Sequence, residues 1–251
     1  MSHRSDRDTV PVPEITIPIR AATIVLGSIG AALLVVHVIT RVIHWSGMYV
    51  PMPIALLLDR FDVDGETSVP TWFSILLLLA IAVLAFVIAR VDRPAGSRAY
   101  RWWYAVAAVA LYLSIDEGAA LHEIAFQPMQ RLLGVTSGPL LFAWVVPGAI
   151  AVIVVAAVFV RFFLTLPKPT KISLAIAVGV YVLGALGMEM LTGALIYDIA
   201  LPNTGGSLTV DLFTAVEEGL ELAGAILAIR ALLQYLTRFA LPQRAMLVRV
   251  D

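Results

Sequence analysis

The sequence predicts an all-α integral membrane protein, folded as a bundle of six membrane-spanning helices. Hydrophobic residues make up 60% of the 251 residues and charged residues only 14%, and the mean hydropathy is +0.92. A water-soluble domain of this size cannot cover so much apolar side chain with polar surface, so the excess is expected to face lipid. The apolar residues also fall into six runs, each near the roughly 20 residues that a helix needs to cross about 30 Å of hydrocarbon.

The predicted transmembrane domain covers residues 21–238, between an N-terminal tail (1–20) and a C-terminal tail (239–251). The N-terminal tail is polar and rich in proline. It does not resemble a cleaved signal, because the first apolar run is long enough to span the membrane. The predicted spans are approximately 21–45, 71–90, 102–126, 139–163, 172–197 and 210–236.

The distribution of positive charge predicts the orientation of the bundle. Thirteen of the seventeen lysines and arginines fall in the two tails and in the second and fourth connections. Positive charge is retained on the cytoplasmic side, so both termini are expected to be cytoplasmic, in a multi-pass protein of the bacterial inner (plasma) membrane. The long first connection, residues 46–70, then lies outside, where an apolar stretch at 53–61 predicts a short helix at the lipid interface.

Composition also excludes several classes of function. A formal net charge of −1 provides no basic surface for a phosphate backbone, and no nucleic-acid-binding motif occurs, so no nucleic-acid partner is expected. The chain has no cysteine, which excludes disulfides, thiolate metal sites and thiol nucleophiles.

Ionisable side chains inside the predicted spans are the main functional signal. An ionisable group at mid-membrane costs from about 2.5 kcal/mol upward, and such groups usually face the bundle interior and mark a site. Apart from Asp211 at the start of the last span and the arginines toward the cytoplasmic ends, the ionisable groups in the predicted spans are seven of the eighteen acids, three histidines and one arginine: Asp116, Glu117, Glu123, Glu189, Glu217, Glu218, Glu221, His37, His44, His122 and Arg41.

Helical spacing and depth predict that these groups converge. His37, Arg41 and His44 recur at i, i+4 and i+7, so they share one face of the first span. With a helical rise of 1.5 Å per residue, four of these side chains lie at about the same depth, roughly 13–15 Å below the outer boundary of the membrane: His37, Asp116, Glu189 and Glu221. The sequence therefore predicts a polar pocket in the outer half of the bundle.

The charge balance of this pocket predicts a bound cation. Seven carboxylates against Arg41 alone cannot all be ionised in a low-dielectric interior, so protons or metal ions must enter. Imidazoles together with carboxylates favour one or two divalent transition-metal ions, namely iron, manganese or zinc. The expected metal ligands are His37, Asp116, His122, Glu123, Glu189, Glu217 and Glu221. Glu117 and Glu218 are expected to transfer protons, and Arg41 to balance charge or hold an anionic group.

Three motifs resemble those of a family of bacterial multi-pass membrane proteins with no known activity. They are an acidic turn followed by Pro-Thr-Trp-Phe-Ser (residues 64–74), a Ser-x-Asp-Glu helix with His-Glu (113–123) and a Glu-Glu-x-x-Glu helix (217–221). The resemblance supports the choice of residues without indicating a substrate. It also draws attention to Glu66, for which a solvated turn acid is the favoured interpretation and a fold over the pocket is the alternative.

Two main functions fit these predictions. The first is a membrane metalloprotein, either an oxidoreductase or a hydrolase, acting on a lipid-soluble small molecule. The second is a proton- or cation-coupled transporter, which should show broken helices at mid-membrane and polar residues continuing toward the cytoplasm. A third alternative is an accessory subunit of a membrane complex, in which the polar groups serve assembly.

Overall fold

The prediction of an all-α chain is confirmed by the structure, a computed structural model that describes residues 18–65, 67–93, 98–199 and 207–241. Helices account for 85% of these residues, and none of them forms a strand. The helices are α1 (Ile19–Trp45), α2 (Met52–Asp59), α3 (Val69–Asp92), α4 (Ala99–Ala119), α5 (Phe126–Leu133), α6 (Val145–Thr165), α7 (Lys168–Val182), α8 (Glu189–Ile199) and α9 (Leu208–Tyr235).

Four helical stretches are long and apolar enough to cross a membrane: Ile19–Trp45, Val69–Asp92, Val145–Thr165 and Lys168–Leu195. A fifth is obtained if α4 and the chain that follows it count as one bent span. The 28-residue helix α9 also has the length of a span, but it carries five charged residues. Several long apolar helices are therefore present, as expected for a membrane protein.

The third predicted span is broken, contrary to the prediction of one helix over 102–126. Helix α4 ends at Ala119, and Ala120 adopts a left-handed conformation with φ of 44°. A 3₁₀ turn (His122–Ala125) and α5 follow, and the chain bends by 73°. No proline marks this break in the sequence, which is why helical periodicity alone missed it.

The fifth predicted span is also irregular. Residues Leu183–Met188 form a π-helical segment between α7 and α8. π-helical turns are rare and occur frequently at functional sites. This segment comes immediately before Glu189, so it determines which way that acid faces.

Helix α9 lies at the centre of the bundle, since it packs against α1, α3 and α7. The end of the bundle where α1 ends and where α3 and α9 begin is called here the acidic end. At the opposite end, buried aromatic and aliphatic side chains of α3, α4, α6 and α9 form a tightly packed core, which includes Ile88, Trp103, Phe162 and Leu232.

Candidate functional site

The predicted polar face of α1 is divided between three environments. His37 is only 1% exposed, Arg41 is half-buried, and His44 is exposed beside the ring of Trp45. His37 and Arg41 turn toward the loop that precedes α3. The three residues therefore do not form one binding face, and His44 is separate from the other two.

Arg41 pairs with Asp62, a loop residue that the sequence did not select. Its Nη2 lies 2.5 Å from Asp62 Oδ2, and His37 Nδ1 lies 3.4 Å from Asp62 Oδ1. Partial burial alone would raise the pKa of Asp62, but the neighbouring His37 ring and the charge of Arg41 outweigh burial and lower that pKa. Because Arg41 pairs with Asp62, the positive charge of Arg41 is largely neutralised there and does little to balance the acids of the predicted spans.

The loop around Asp62 is held to both neighbouring helices. The backbone N–H of Val63 donates to His37 Nδ1 over 3.2 Å, and Thr71 at the start of α3 donates its hydroxyl to the carbonyl of Gly65 over 2.8 Å. Asp64, on the same loop, interacts electrostatically with Glu217. Partial desolvation and the nearby carboxylates Asp62 and Asp211 raise the pKa of Asp64. Glu66, the loop acid to which the resemblance draws attention, lies outside the described residues.

Asp116 and His122 form a pair across the break after α4. One carboxylate oxygen accepts the backbone N–H of His122 over 2.9 Å, and the other lies 3.0 Å from Nδ1 of the same histidine. Asp116 thus satisfies a backbone donor that the broken helix leaves unpaired. Glu123, the next residue, is exposed, because the break turns it away from the side to which regular helical spacing assigned it.

Glu189, the first residue of α8, and Glu217, within α9, place their carboxyl groups against each other. Each is a side-chain hydrogen-bond partner of the other. Trp144 donates its indole N–H to Glu189 Oε1 over 2.8 Å, and its ring lies 4.6 Å from that of His122. Trp144 therefore connects the Asp116–His122 pair to the Glu189–Glu217 pair.

Glu221 has a different partner, the phenol of Tyr181 on α7, with which it shares a side-chain hydrogen bond. Two glycines allow α9 to pack closely against α7 and the π-helical segment that follows it. A Cβ on Gly184 would lie 2.8 Å from the carbonyl oxygen of Glu217, and one on Gly224 would lie 2.6 Å from the backbone nitrogen of Tyr181. Small residues permit this approach of helix backbones.

The remaining two acids are on α4 and α9. Glu117 has the buried hydroxyl of Ser74 on α3 as its hydrogen-bond partner, and Glu218 interacts electrostatically with both Glu117 and Glu221. These acids are therefore arranged mainly in pairs. Within the described ranges, no group of three or more histidine and acid side chains is positioned to hold a metal ion. Metal coordination by the seven predicted ligands remains a prediction.

Sequence reasoning missed four partners of these groups: Asp62, Ser74, Trp144 and Tyr181. Asp62 resembled a solvated turn acid, and Ser74 and Trp144 carry no charge that would single them out in an apolar run. Tyr181 is an uncharged polar residue within the fifth predicted span, so nothing in the sequence sets it apart either. A usable signal existed for Ser74, because it belongs to the Pro-Thr-Trp-Phe-Ser motif.

Comparison with known proteins gives one match. No curated protein and no solved structure matches the chain. The sequence profile of a family described as a domain of unknown function, DUF8692, matches residues 27–236. The match is consistent with the resemblance to an uncharacterised family and covers all of the span acids. The chain therefore belongs to the DUF8692 family.

Proposed function

We propose that this protein is a cation-coupled membrane transporter, in which the acids of α4, α8 and α9 act together as one cluster that binds an exchangeable cation. The contact between Glu189 and Glu217 carries this proposal. Two carboxylates in contact repel each other unless they share a proton or a cation. Arg41 does not supply a positive charge to them, because it forms an ion pair with Asp62.

Protons are the cations that fit this arrangement best. A proton needs only a pair of oxygen atoms, and the Glu189–Glu217 and Tyr181–Glu221 pairs provide them. A structural zinc ion takes four protein ligands and a catalytic one at least three. No three such ligands are grouped in the described part of the chain, so side chains would have to move before a third ligand could bind a metal ion.

The two irregular helices support transport over a static structural role. Transporters commonly place their binding groups where membrane helices are interrupted. Here Asp116 and His122 flank the break after α4, and Glu189 directly follows the π-helical segment. Both interruptions allow the attached acids to change direction without unfolding a whole span.

The packed core at the opposite end supports loading of the cluster from the acidic end alone. Ile88 is fully buried, and Trp103 and Leu232 are each 1% exposed. No polar passage toward that end is visible among the described residues. The polar residues that a transporter should show toward the cytoplasm are therefore not found there, and the proposal requires an alternating-access cycle in which the opposite end is closed in this state.

The proposal includes six membrane crossings with both termini in the cytoplasm, in the plasma membrane of a bacterium. The absence of cysteine allows this to be tested with single-cysteine variants. We expect a membrane-impermeant maleimide to label the Thr67→Cys variant on intact cells, and to label the Arg98→Cys variant only after lysis. The reverse pattern would contradict the orientation.

Proton flux in liposomes tests the transport proposal. We expect the reconstituted wild-type protein to move protons when a potential is applied, and Glu217→Gln to lower that flux by about tenfold or more. Glu123→Gln is the matched control, because Glu123 is exposed and should leave the flux near the wild-type value. Absence of wild-type flux, or an equal loss in the two variants, would contradict the proposal.

A metal-dependent enzyme acting on a lipid-soluble substrate is the second candidate, and the Asp116–His122 pair favours it. A carboxylate that orients a histidine through Nδ1 leaves Nε2 available, as in many metal sites and general bases. Elemental analysis of the purified protein separates the candidates. Stoichiometric iron, manganese or zinc that is lost in Asp116→Ala and Glu221→Ala would favour the enzyme over the transporter. A protein with neither metal nor flux would fit the accessory-subunit alternative.

A further inference from the structure

Asp92 is a buried acid at the opposite end of the bundle, far from the acids of the proposed site. It is the last residue of α3 and is only 6% exposed. The hydroxyl of Tyr235, the last residue of α9, donates to Asp92 Oδ2 over 3.4 Å. Along α9, Tyr235 is fourteen residues beyond Glu221, which corresponds to about 21 Å.

In the part of the chain that the structure describes, the surroundings of Asp92 contain no compensating positive charge. Described residues that face it include Tyr235 from α9 and Trp103 from α4, whose ring lies 4.9 Å from that of Tyr235. The flanking residues Arg90 and Arg93 are exposed. No lysine or arginine within the described ranges forms an ion pair with Asp92.

A purely structural role does not require an acid here. An asparagine would accept the same hydrogen bond from Tyr235 without the cost of burying a group that can carry charge. An ionisable side chain that is buried without a partner of opposite charge is a candidate for a group that binds and releases a proton. The π-helical turn Leu236–Ala240 begins directly after Tyr235, so the contact lies beside a segment of irregular helix that can rearrange.

We propose that Asp92 is the proton-binding group at the opposite end of the transport path. This inference rests on the proposed function, with the proton as the transported cation. When the acidic end is loaded, Tyr235 and the aromatic core keep Asp92 closed off. When the core opens, Asp92 accepts the proton and releases it at the face opposite to the acidic end.

Proton flux in liposomes, measured with the pH of the compartment facing Asp92 varied, tests the inference. We expect Asp92→Asn to lower the flux by about tenfold or more and to remove its dependence on that pH. Asp92→Glu should keep most of the flux but change its pH profile, which provides a second variant if the asparagine protein does not fold. Tyr235→Phe is the complementary variant, since it removes the hydrogen bond to Asp92 but keeps the acid, whereas Asp92→Asn keeps an acceptor but loses the acid; the flux should fall less in Tyr235→Phe than in Asp92→Asn.

Each outcome distinguishes this inference from the proposed function. If Glu217→Gln lowers the flux and Asp92→Asn does not, Asp92 is not on the path, although the transport proposal stands. Equal losses in Asp92→Asn and Tyr235→Phe would show that disturbing the contact lowers the flux even when the acid is kept, which also overturns the inference. If the wild-type protein moves no protons, both proposals fail together.

Discussion

Substitution of Gly224 by alanine is expected to force α7 and α9 apart at the level of the acids. The added Cβ would lie 2.6 Å from the backbone nitrogen of Tyr181, 2.7 Å from its Cβ and 2.8 Å from its Cα. Two of these three atoms belong to the backbone and the third is fixed to it, so a side-chain rotation cannot relieve the contact. Ordinary contact begins near 3.4 Å, so one helix must move by about 0.8 Å, and overpacking of this kind costs about 1–3 kcal/mol.

Thermal unfolding of the protein in detergent measures this cost. For a chain of this size, 1 kcal/mol corresponds to a change in Tm of about 2–4 °C, so Gly224→Ala should lower Tm by roughly 2–12 °C. Because Tyr181 moves, its hydrogen bond to Glu221 should also be lost. Gly179→Ala on α7 is the matched control, since a Cβ there meets nothing within 4 Å. If Gly224→Ala is as stable as Gly179→Ala, the close packing of α7 and α9 is wrong.

Three further substitutions test local interactions at the acidic end. Asp62→Asn should reduce the free energy of unfolding by about 1–3 kcal/mol at neutral pH, because it leaves the half-buried Arg41 without its carboxylate. Folding lowers the pKa of Asp62 from its ordinary value of 3.8, so the stability that Asp62 contributes is complete above pH 3.8 and is lost as the pH falls below it. Unfolding curves at pH 7 and pH 3 test this, and an equal loss of stability in the variant at both pH values would be inconsistent with the ion pair. Ser68→Ala removes the side chain that accepts the N–H of Thr71 and begins α3, so unfolding should become easier by about 1 kcal/mol, and Ser68→Asn should retain most of that energy. Trp144→Phe keeps an aromatic ring beside His122 but removes the donor to Glu189, with an expected loss of about 1–2 kcal/mol in thermal unfolding, and an unchanged Tm would argue against this hydrogen bond.

The fold class could be predicted from composition and apolar runs because these are properties of the whole chain. The length of α1, for example, follows from a mainly apolar run from Ile19 to Trp45. The break after α4 could not be predicted in this way. It depends on one left-handed alanine, Ala120, and on a carboxylate that accepts the N–H of His122 after the chain has turned. Neither leaves a recognisable mark in the sequence.

The choice of acids was easier to predict than their partners. Glu189, Glu217 and Glu221 stand out because ionisable residues are costly in a span, and all three have polar neighbours in the structure. Their partners depend on tertiary contacts, which helical spacing does not contain. Arg41 illustrates the difference. Helical spacing correctly aligned it with His37, but its ion-pair partner is Asp62, a loop residue 21 positions away.

Asp92 was missed for a related reason. It lies among Arg90, Arg93 and other cations at the end of a span, where charged residues are usually solvated. Only the packing of Trp103 and Tyr235 over it reveals that it is buried. Residues at the ends of spans therefore need tertiary information before they can be assigned to water or to the core.

Infrared spectroscopy of the purified protein can determine whether the acids of the spans share protons, since the C=O stretch of a protonated carboxyl group differs from that of a carboxylate. We predict a protonated-carboxyl band in the wild-type protein at neutral pH. The band should lose intensity in Glu217→Gln and stay unchanged in Glu123→Gln. A wild-type spectrum in which every carboxyl group is ionised at neutral pH would contradict a proton-sharing cluster.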